Sequence, residues 1–418
     1  MSRMSKHLLI IGAGPNQLPA IRLARKRGYR VTVTDFDPAA PGFQEADHHG
    51  LVSTRDLEGT VGFARDVHSS HPLDGVMTIA SESALAVAGV AEALGLPGTS
   101  RASAWLATHK VARQRAFADA GVPAPGFRAA LSLAEGIAAG DSLGWPVVVK
   151  PADSAGSRGV RLIHGAQDLA AAVEEIRTVS GQPEFLVEEY LEGSEHSIEG
   201  VVINGRVHWA AISDRNYEDK HRYPPYFLED GDTLPSALDE QMAGQIRMAA
   251  THAVEALGIT WGPVKGDILV DSQGPRVLEM AARLSGDYFC YETIPLHNGI
   301  DLLSVVMDMA VGNEVKPARL EPSVSRGVAL RYVWPEPGVV ISVSGIEQAR
   351  QMPGVHFVRL EPRWQHLAPG DRIAPATSMG ERVMSVMAWG VDRDQAILRA
   401  EQAVAAIRID TRPVEEGR

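Results

Sequence analysis

Over the first hundred positions, short unbroken apolar runs alternate with amphipathic stretches. Leu8-Leu9-Ile10-Ile11 is a continuous run, the pattern of a parallel strand buried on both faces. Gly12-Ala13-Gly14 turns the chain, and Leu18, Ile21 and Leu23 mark one face of a helix ending near Gly28. Val31-Thr32-Val33-Thr34 predicts the next strand, closed by Asp35-Phe36-Asp37-Pro38. A helix is expected over 57–67, a strand over 75–79, and a helix over 83–94 stopped by Gly95 and Pro97. Such a βαβ series predicts an α/β unit, a Rossmann-like doubly wound sheet.

The pattern shifts at Gly121-Val122-Pro123-Ala124-Pro125, where two prolines force an extended connection. Pro146-Val147-Val148-Val149-Lys150 then reads as a strand, followed by the Gly/Ser-rich loop Ser154-Ala155-Gly156-Ser157-Arg158-Gly159. A strand over 160–163 and a helix over 167–179 complete a small α+β unit, and a strand over 185–190 leads out of it. Strands over 196–203 and 206–212 suggest an antiparallel sheet. The stretch from Asp214 to Asp239 is polar with little periodicity, and is read as a long loop of the lid or binding kind. A helix over 240–257 follows. Asp267 to Val270, the turn Asp271-Ser272-Gln273-Gly274, and Arg276 to Met280 form a hairpin pattern. Short strands over 327–333, 338–343 and 382–389 precede a final helix over 394–407. The expected division is 1–108, 109–317 with a small α+β subdomain at about 125–190, and a β-rich 318–418.

Composition narrows the class. The chain has 418 residues, roughly three domains at ~150 residues each. Its 40 basic against 52 acidic residues leave a net charge of −12, which argues against a general nucleic-acid binder. Aromatic residues are 6%, too few for a base-stacking surface. The single cysteine, Cys290, rules out an internal disulfide and a cysteine-cluster metal site. No apolar run approaches the ~18 residues of a membrane span, and Leu8 to Ile11 is too short for a signal peptide. A cytoplasmic enzyme acting on small molecules, with no nucleic acid or membrane partner, is expected.

Gly12-x-Gly14, with Asp35 after the next strand, is similar to the opening of a dinucleotide fingerprint, but Pro15-Asn16-Gln17 follows where a third glycine belongs. Lys150 carries more weight. A nucleoside triphosphate brings about four negative charges and needs cations, backbone N–H donors and metal. A lysine ending an apolar strand beside a loop of small residues supplies the first two. The loop does not have the P-loop spacing, since no Gly-Lys-Ser/Thr follows. Asp267 and Glu279 lie on opposite arms of the predicted hairpin, among apolar neighbours, where burial is costly without a cation. A carboxylate pair near phosphates suits magnesium, with manganese as the alternative, rather than zinc.

In order and spacing, these stretches resemble the ATP-grasp ligases. The resemblance runs from Thr108-His109-Lys110 through the 121–125 and 144–159 segments. It continues in Glu188-Glu189-Tyr190-Leu191-Glu192-Gly193-Ser194-Glu195, then Asp267, then Glu279-Met280-Ala281-Ala282-Arg283. It implies an ATP-grasp fold with an N-terminal Rossmann-like pre-ATP-grasp domain, split ATP-binding domains and a C-terminal β-rich subdomain. It places ATP against Lys110, Lys150, the loop 154–159, Glu188, Glu189, Tyr190, Leu191 and Glu195. The 188–191 segment would line the adenine pocket and Glu195 would reach the ribose. The family usually has an asparagine two residues after the second metal carboxylate; Ala281 stands there, which puts one phosphate or metal contact in question. Arg283 remains, a guanidinium able to hold a carboxylate or acyl phosphate in two-pronged fashion. The implied activity is an ATP-dependent carboxylate–amine ligase working through an acyl phosphate. Lys110, Lys150 and Arg283 would stabilise charge, and the overall layout looks most like the L-amino acid ligases that make dipeptides, and more distantly like biotin carboxylase. Related enzymes are often dimers, so a homodimer is expected. Two other readings are a carboxylase or purine-pathway ligase activating bicarbonate or a nucleotide precursor, and a nicotinamide-dependent oxidoreductase. Lys220, His221, Arg222 and Tyr226, in the 214–239 stretch, are the candidates for binding an organic acid.

Overall fold

The computed structural model describes residues 5–153, 156–218 and 220–413. The first sheet is parallel, ordered β3-β2-β1-β4, from β1 (His7–Ile11), β2 (Arg30–Asp35), β3 (His48–Leu51) and β4 (Gly75–Met77). Every residue of β1 is buried, as its unbroken apolar run requires. Helices Leu18–Lys26, Leu57–Ser70 and Ala84–Leu94 connect and cover the strands. The turn after β1 is held from within. The Asp35 carboxylate accepts the Ala13 N–H at 2.8 Å, and Gln17 packs under Gly12, where a side chain would find no room.

A second, antiparallel sheet is ordered β5-β8-β6-β7, from β5 (Phe127–Ala130), β6 (Val147–Pro151), β7 (Arg161–Ile163) and β8 (Phe185–Glu189). Helices Leu133–Leu143 and Ala166–Val179 pack on one side of it around Leu169, Ile176 and Phe185.

The largest sheet has eight strands, ordered β13-β12-β9-β10-β11-β14-β18-β16. They are β9 (Ser194–Ile203), β10 (Arg206–Arg215), β11 (Asp232–Leu234), β12 (Gly262–Asp271), β13 (Gly274–Ala281), β14 (Gly327–Val333), β16 (Val355–Leu360) and β18 (Met384–Gly390). Three further strands, β15 (Gly338–Ser344), β17 (Arg372–Ile373) and β19 (Arg408–Arg412), make a small outer sheet. One expectation changes here. The polar 214–239 stretch is not all loop: three buried residues form β11, which pairs with β14 through Thr233–Ala329 and Leu234–Val328. Through that pair, β14, β18 and β16 of the C-terminal part continue the central sheet.

Alternation along β12 divides this sheet into a core face and a site face. Val264 and Ile268, with Val277 and Met280 of β13, pack under Ile246, Ala250 and Val254 of helix Glu240–Ala256. Burying each such Val or Ile contributes roughly 1.5–3 kcal/mol. Lys265 and Asp267 project to the other side. No described helix is long and apolar enough to cross a membrane.

Candidate active site

A cavity of about 320 Å³ lies between the four-stranded antiparallel sheet and the site face of the large one. At one end Lys150, on β6, forms an ion pair with Glu188 of β8, and Gln114 Nε2 donates to Glu188 Oε1 at 2.8 Å. Lys110 opens the helix Lys110–Ala120, whose preceding residue, His109, accepts the Ala112 N–H at 3.3 Å. Burial lowers the Lys110 ammonium, with Glu279 as the opposing charge. Gly156, Ser157, Glu188, Glu189, Tyr190, Leu191 and Glu195 line the same end. Gly156 (φ 65°) and Gly159 (φ 73°) adopt the left-handed backbone that glycine permits. Arg158 lies between them in the same loop but is not among the residues lining the cavity. Ser154, Ala155 and the side chain of Lys220 lie outside the described residues.

The hairpin β12–β13 brings Asp267 directly opposite Glu279. Burial opposes ionisation of Asp267, yet the Lys265 and Arg215 charges, at 2.5 and 3.3 Å, hold its carboxyl well below the usual range. Burial likewise opposes ionisation of Glu279, and Arg113, at 3.5 Å, together with Lys110 outweighs it. Two ionised carboxylates facing each other beside phosphate-sized space fit a divalent ion that takes its remaining ligands from phosphate and water. Among the described residues no group of three or more His, Cys, Asp or Glu could hold a metal by itself.

The rest of the lining is assembled from distant segments, with Arg283 among the charges of Glu82, Glu279 and Asp267. Arg283 pairs with Glu82 at 2.6 Å, because the chain leaving β4 runs beside that leaving β13 and Ala80 N–H bonds Leu284 O. Ala80, Asp287 and Tyr288 all hold left-handed backbone there, at about 1–3 kcal/mol each. Arg215 pairs with Glu229 at 2.5 Å, and Arg382 pairs with Asp287. Among the described residues, four buried side-chain atoms of the cavity lining have no hydrogen-bond partner: Asp232 Oδ1, Tyr332 Oη, Ser213 Oγ and the donor Arg283 Nε. Burial pushes the Asp232 carboxyl and the Tyr332 phenol well above their usual ranges. Beneath the floor, the buried Glu199 carboxyl accepts the Ser285 N–H and hydroxyl, each at 2.6 Å, and burial lifts it to about 7.

The four residues expected to bind the acid are not brought to this cavity where they are described. His221 is exposed, Arg222 pairs with Glu336 at 2.9 Å, and Tyr226 lies under Arg161 with its ring centroid 5.2 Å away. Arg222 and Tyr226 border a separate hollow with Trp334 and Pro375. The physical reason is β11. It pulls the second half of the stretch into the sheet, so Tyr217, Phe227, Glu229 and Asp232 face the cavity instead. Sequence reading also missed Glu82, Arg215, Lys265 and Tyr332. For Lys265 a signal existed, since it stands two residues before Asp267 on one strand and so shares its face. Nothing local marks Glu82 or Tyr332.

A nucleotide-sized cleft between two antiparallel sheets, with a facing carboxylate pair on a hairpin, defines the ATP-grasp fold. A family model of the ATP-grasp domain matches residues 143–291. Models of the ATP-grasp N-terminal domain and of the L-amino acid ligase C-terminal domain 2 match 22–98 and 331–412. The chain carries an ATP-grasp domain, and it is similar to the L-amino acid ligases. The crystal structure of L-amino acid ligase from Bacillus licheniformis superposes with a TM-score of 0.82 at 23% identity, covering 98% of this chain and all of that one. An uncharacterized protein of Sinorhizobium fredii, y4rH, is 27% identical over 413 residues, 97% of this chain and 83% of its own length. Alanine–anticapsin ligase of Bacillus subtilis is 25% identical over 316 residues, and this chain spans 64% of it.

Proposed function

We propose that the protein joins the carboxylate of a small amino acid to an amine, cleaving ATP to ADP and phosphate through an acyl phosphate. The observation that carries this reading is the split character of one cavity. One part is lined by cations and small loop residues, Arg283 stands between Glu82 and the Asp267–Glu279 pair, and another part of the wall carries acidic and hydroxyl groups with no partner among the described residues. An α-amino acid is a zwitterion, so its carboxylate suits Arg283 and its ammonium suits Asp232, Tyr332 and Ser213. Burying such groups without a partner costs roughly 1–3 kcal/mol each, which a bound ammonium would offset.

Lys150 and Lys110 hold phosphate oxygens, and the 188–191 segment receives the base. Asp267 and Glu279 would hold magnesium, or manganese, which would draw charge from the phosphates. Arg283, steadied by Glu82, aligns the carboxylate with the γ-phosphorus. An oxygen of that carboxylate bonds phosphorus as the bridge to ADP breaks. The amine then attacks the acyl carbon, phosphate leaves with the bonding pair, and the amine proton passes to water or phosphate. Buried walls keep water from the activated acid.

Pooled amino acids with Mg·ATP should give acid-dependent ADP release, and product masses should fit an amide. Hydroxylamine in place of the amine should yield a hydroxamate. ADP release that responds to bicarbonate and to no amino acid would sink this reading in favour of a carboxylase.

A further inference from the structure

Alternate residues of a strand face one side, so β9, β12 and β13 present cross-strand rows to the cavity. One row is Ser197, Asp267, Glu279, and the next is Glu199, Lys265, Ala281. Lys265 stands one step from Asp267, about 7 Å along the strand. Its ammonium folds back onto Asp267 Oδ1 at 2.5 Å, the one ion pair it makes among the described residues. Across β13 its neighbour Ala281 carries only a methyl group, and both residues line the cavity. On the β9 side Glu199 turns both oxygens to Ser285 and leaves Lys265 to Asp267. The same Asp267 oxygen also takes the Ser197 hydroxyl at 3.0 Å and Arg215 at 3.3 Å. Three donors crowd one oxygen of a carboxylate assigned to a divalent ion; of the two cations, Arg215 is also held by Glu195 and Glu229, so Lys265, paired with Asp267 alone among the described residues, is the cation free to leave.

We propose that Lys265 is a movable cation of the transfer site. It holds Asp267 while the site is empty, yields that oxygen to the divalent ion, and then sets its ammonium against the oxygens of the carboxylate and phosphoryl group, in the space over Ala281. The proposal rests on the reading of the site as one that phosphorylates a carboxylate. In that step the substrate oxygen gains a bond to the γ-phosphorus, and the bridging oxygen leaves with its electron pair on ADP. No proton moves, and Lys265 stays charged throughout. It lowers the barrier by placing positive charge where negative charge gathers.

Manganese binding to the nucleotide-free full chain, followed by the EPR signal of the free ion, tests the first half. Lys265→Met should bind Mn²⁺ at least ~5-fold more tightly than wild type, because the competing ammonium is gone. Turnover tests the second half. Lys265→Met should lose at least ~100-fold with ADP affinity nearly unchanged, and Lys265→Arg should retain a tenth or more. Manganese affinity that is unchanged or weaker in Lys265→Met overturns the proposal, and so does wild-type turnover. Lys265→Gln repeats both measurements if the methionine variant melts early. The manganese arm needs neither acid nor amine, so it judges Lys265 even if no amino acid elicits ADP, an outcome that would count against the ligase reading instead.

Discussion

Two parts of the cavity wall match their polar groups differently. Around Lys150 the charges are paired, Lys150 with Glu188 and Glu279 with Arg113. Around Arg215 and Arg382 the cations are paired as well, with Glu229 and Asp287, but among the described residues Asp232, Tyr332 and Ser213 keep polar atoms unmatched in the buried wall. A triphosphate arrives with several negative charges, and its cations must be kept folded and ionised before it binds. A zwitterion brings its own cation, so its site does best with acceptors left open. On the proposed reading, one part of the cavity is held without ligand and the other is completed by it.

The sharpest way to break this contrast is at the hairpin. Glu279→Ala should cut ADP release by at least ~1000-fold, since it removes one of two facing carboxylates. A wild-type rate persisting in EDTA would show that no divalent ion is used. The floor of the cavity should show itself in stability. Burial lifts Glu199 to about 7, above the 4.5 of an ordinary Glu carboxyl. The folded protein therefore binds this proton more tightly than the unfolded chain does. Its stabilising contribution is complete below pH 4.5 and is lost as pH rises to 7. The loss approaches about 3 kcal/mol. Urea titrations of wild type and Glu199→Gln should diverge in that window, with wild type falling, and parallel curves would refute it. Asp232→Asn should raise the KM for the amino acid about 10-fold, with little change for ATP, by removing a charge-assisted contact. An equal rise for the desamino acid would show that Asp232 does not meet the ammonium. The smallest effect is expected at Arg222→Ala, which should alter that KM by less than about 2-fold because Arg222 faces Glu336 in the other hollow.

Legibility followed the same contrast. Lys150, its loop and the Asp267–Glu279 hairpin could be read from sequence because each is local, with a strand end beside small residues and two arms of one turn. The rest of the lining could not. Glu82 reaches Arg283 across two hundred positions, and Tyr332 arrives on a strand that joins the sheet only through β11. A three-residue strand inside a polar stretch has too few alternations to carry a signal. Without that strand the pattern points to 220–226, whereas Tyr217, Phe227, Glu229 and Asp232 are the residues of the stretch that line the cavity. The glycine turn after β1 was legible as a turn, and its structure gives Asp35 and Gln17 the work of closing it.

The segment 223–227 has two attachments. Phe227 belongs to the cavity wall, while the Pro225 carbonyl accepts the Leu162 N–H of β7 at 3.0 Å and Tyr226 lies against Arg161 and Glu175. Phe227 itself lies near Tyr190, ring centroids 6.4 Å apart. The small sheet therefore cannot tilt against the large one without either breaking the Leu162–Pro225 bond or carrying this part of the wall with it, so its freedom to move is set by a few bonds rather than by the whole fold.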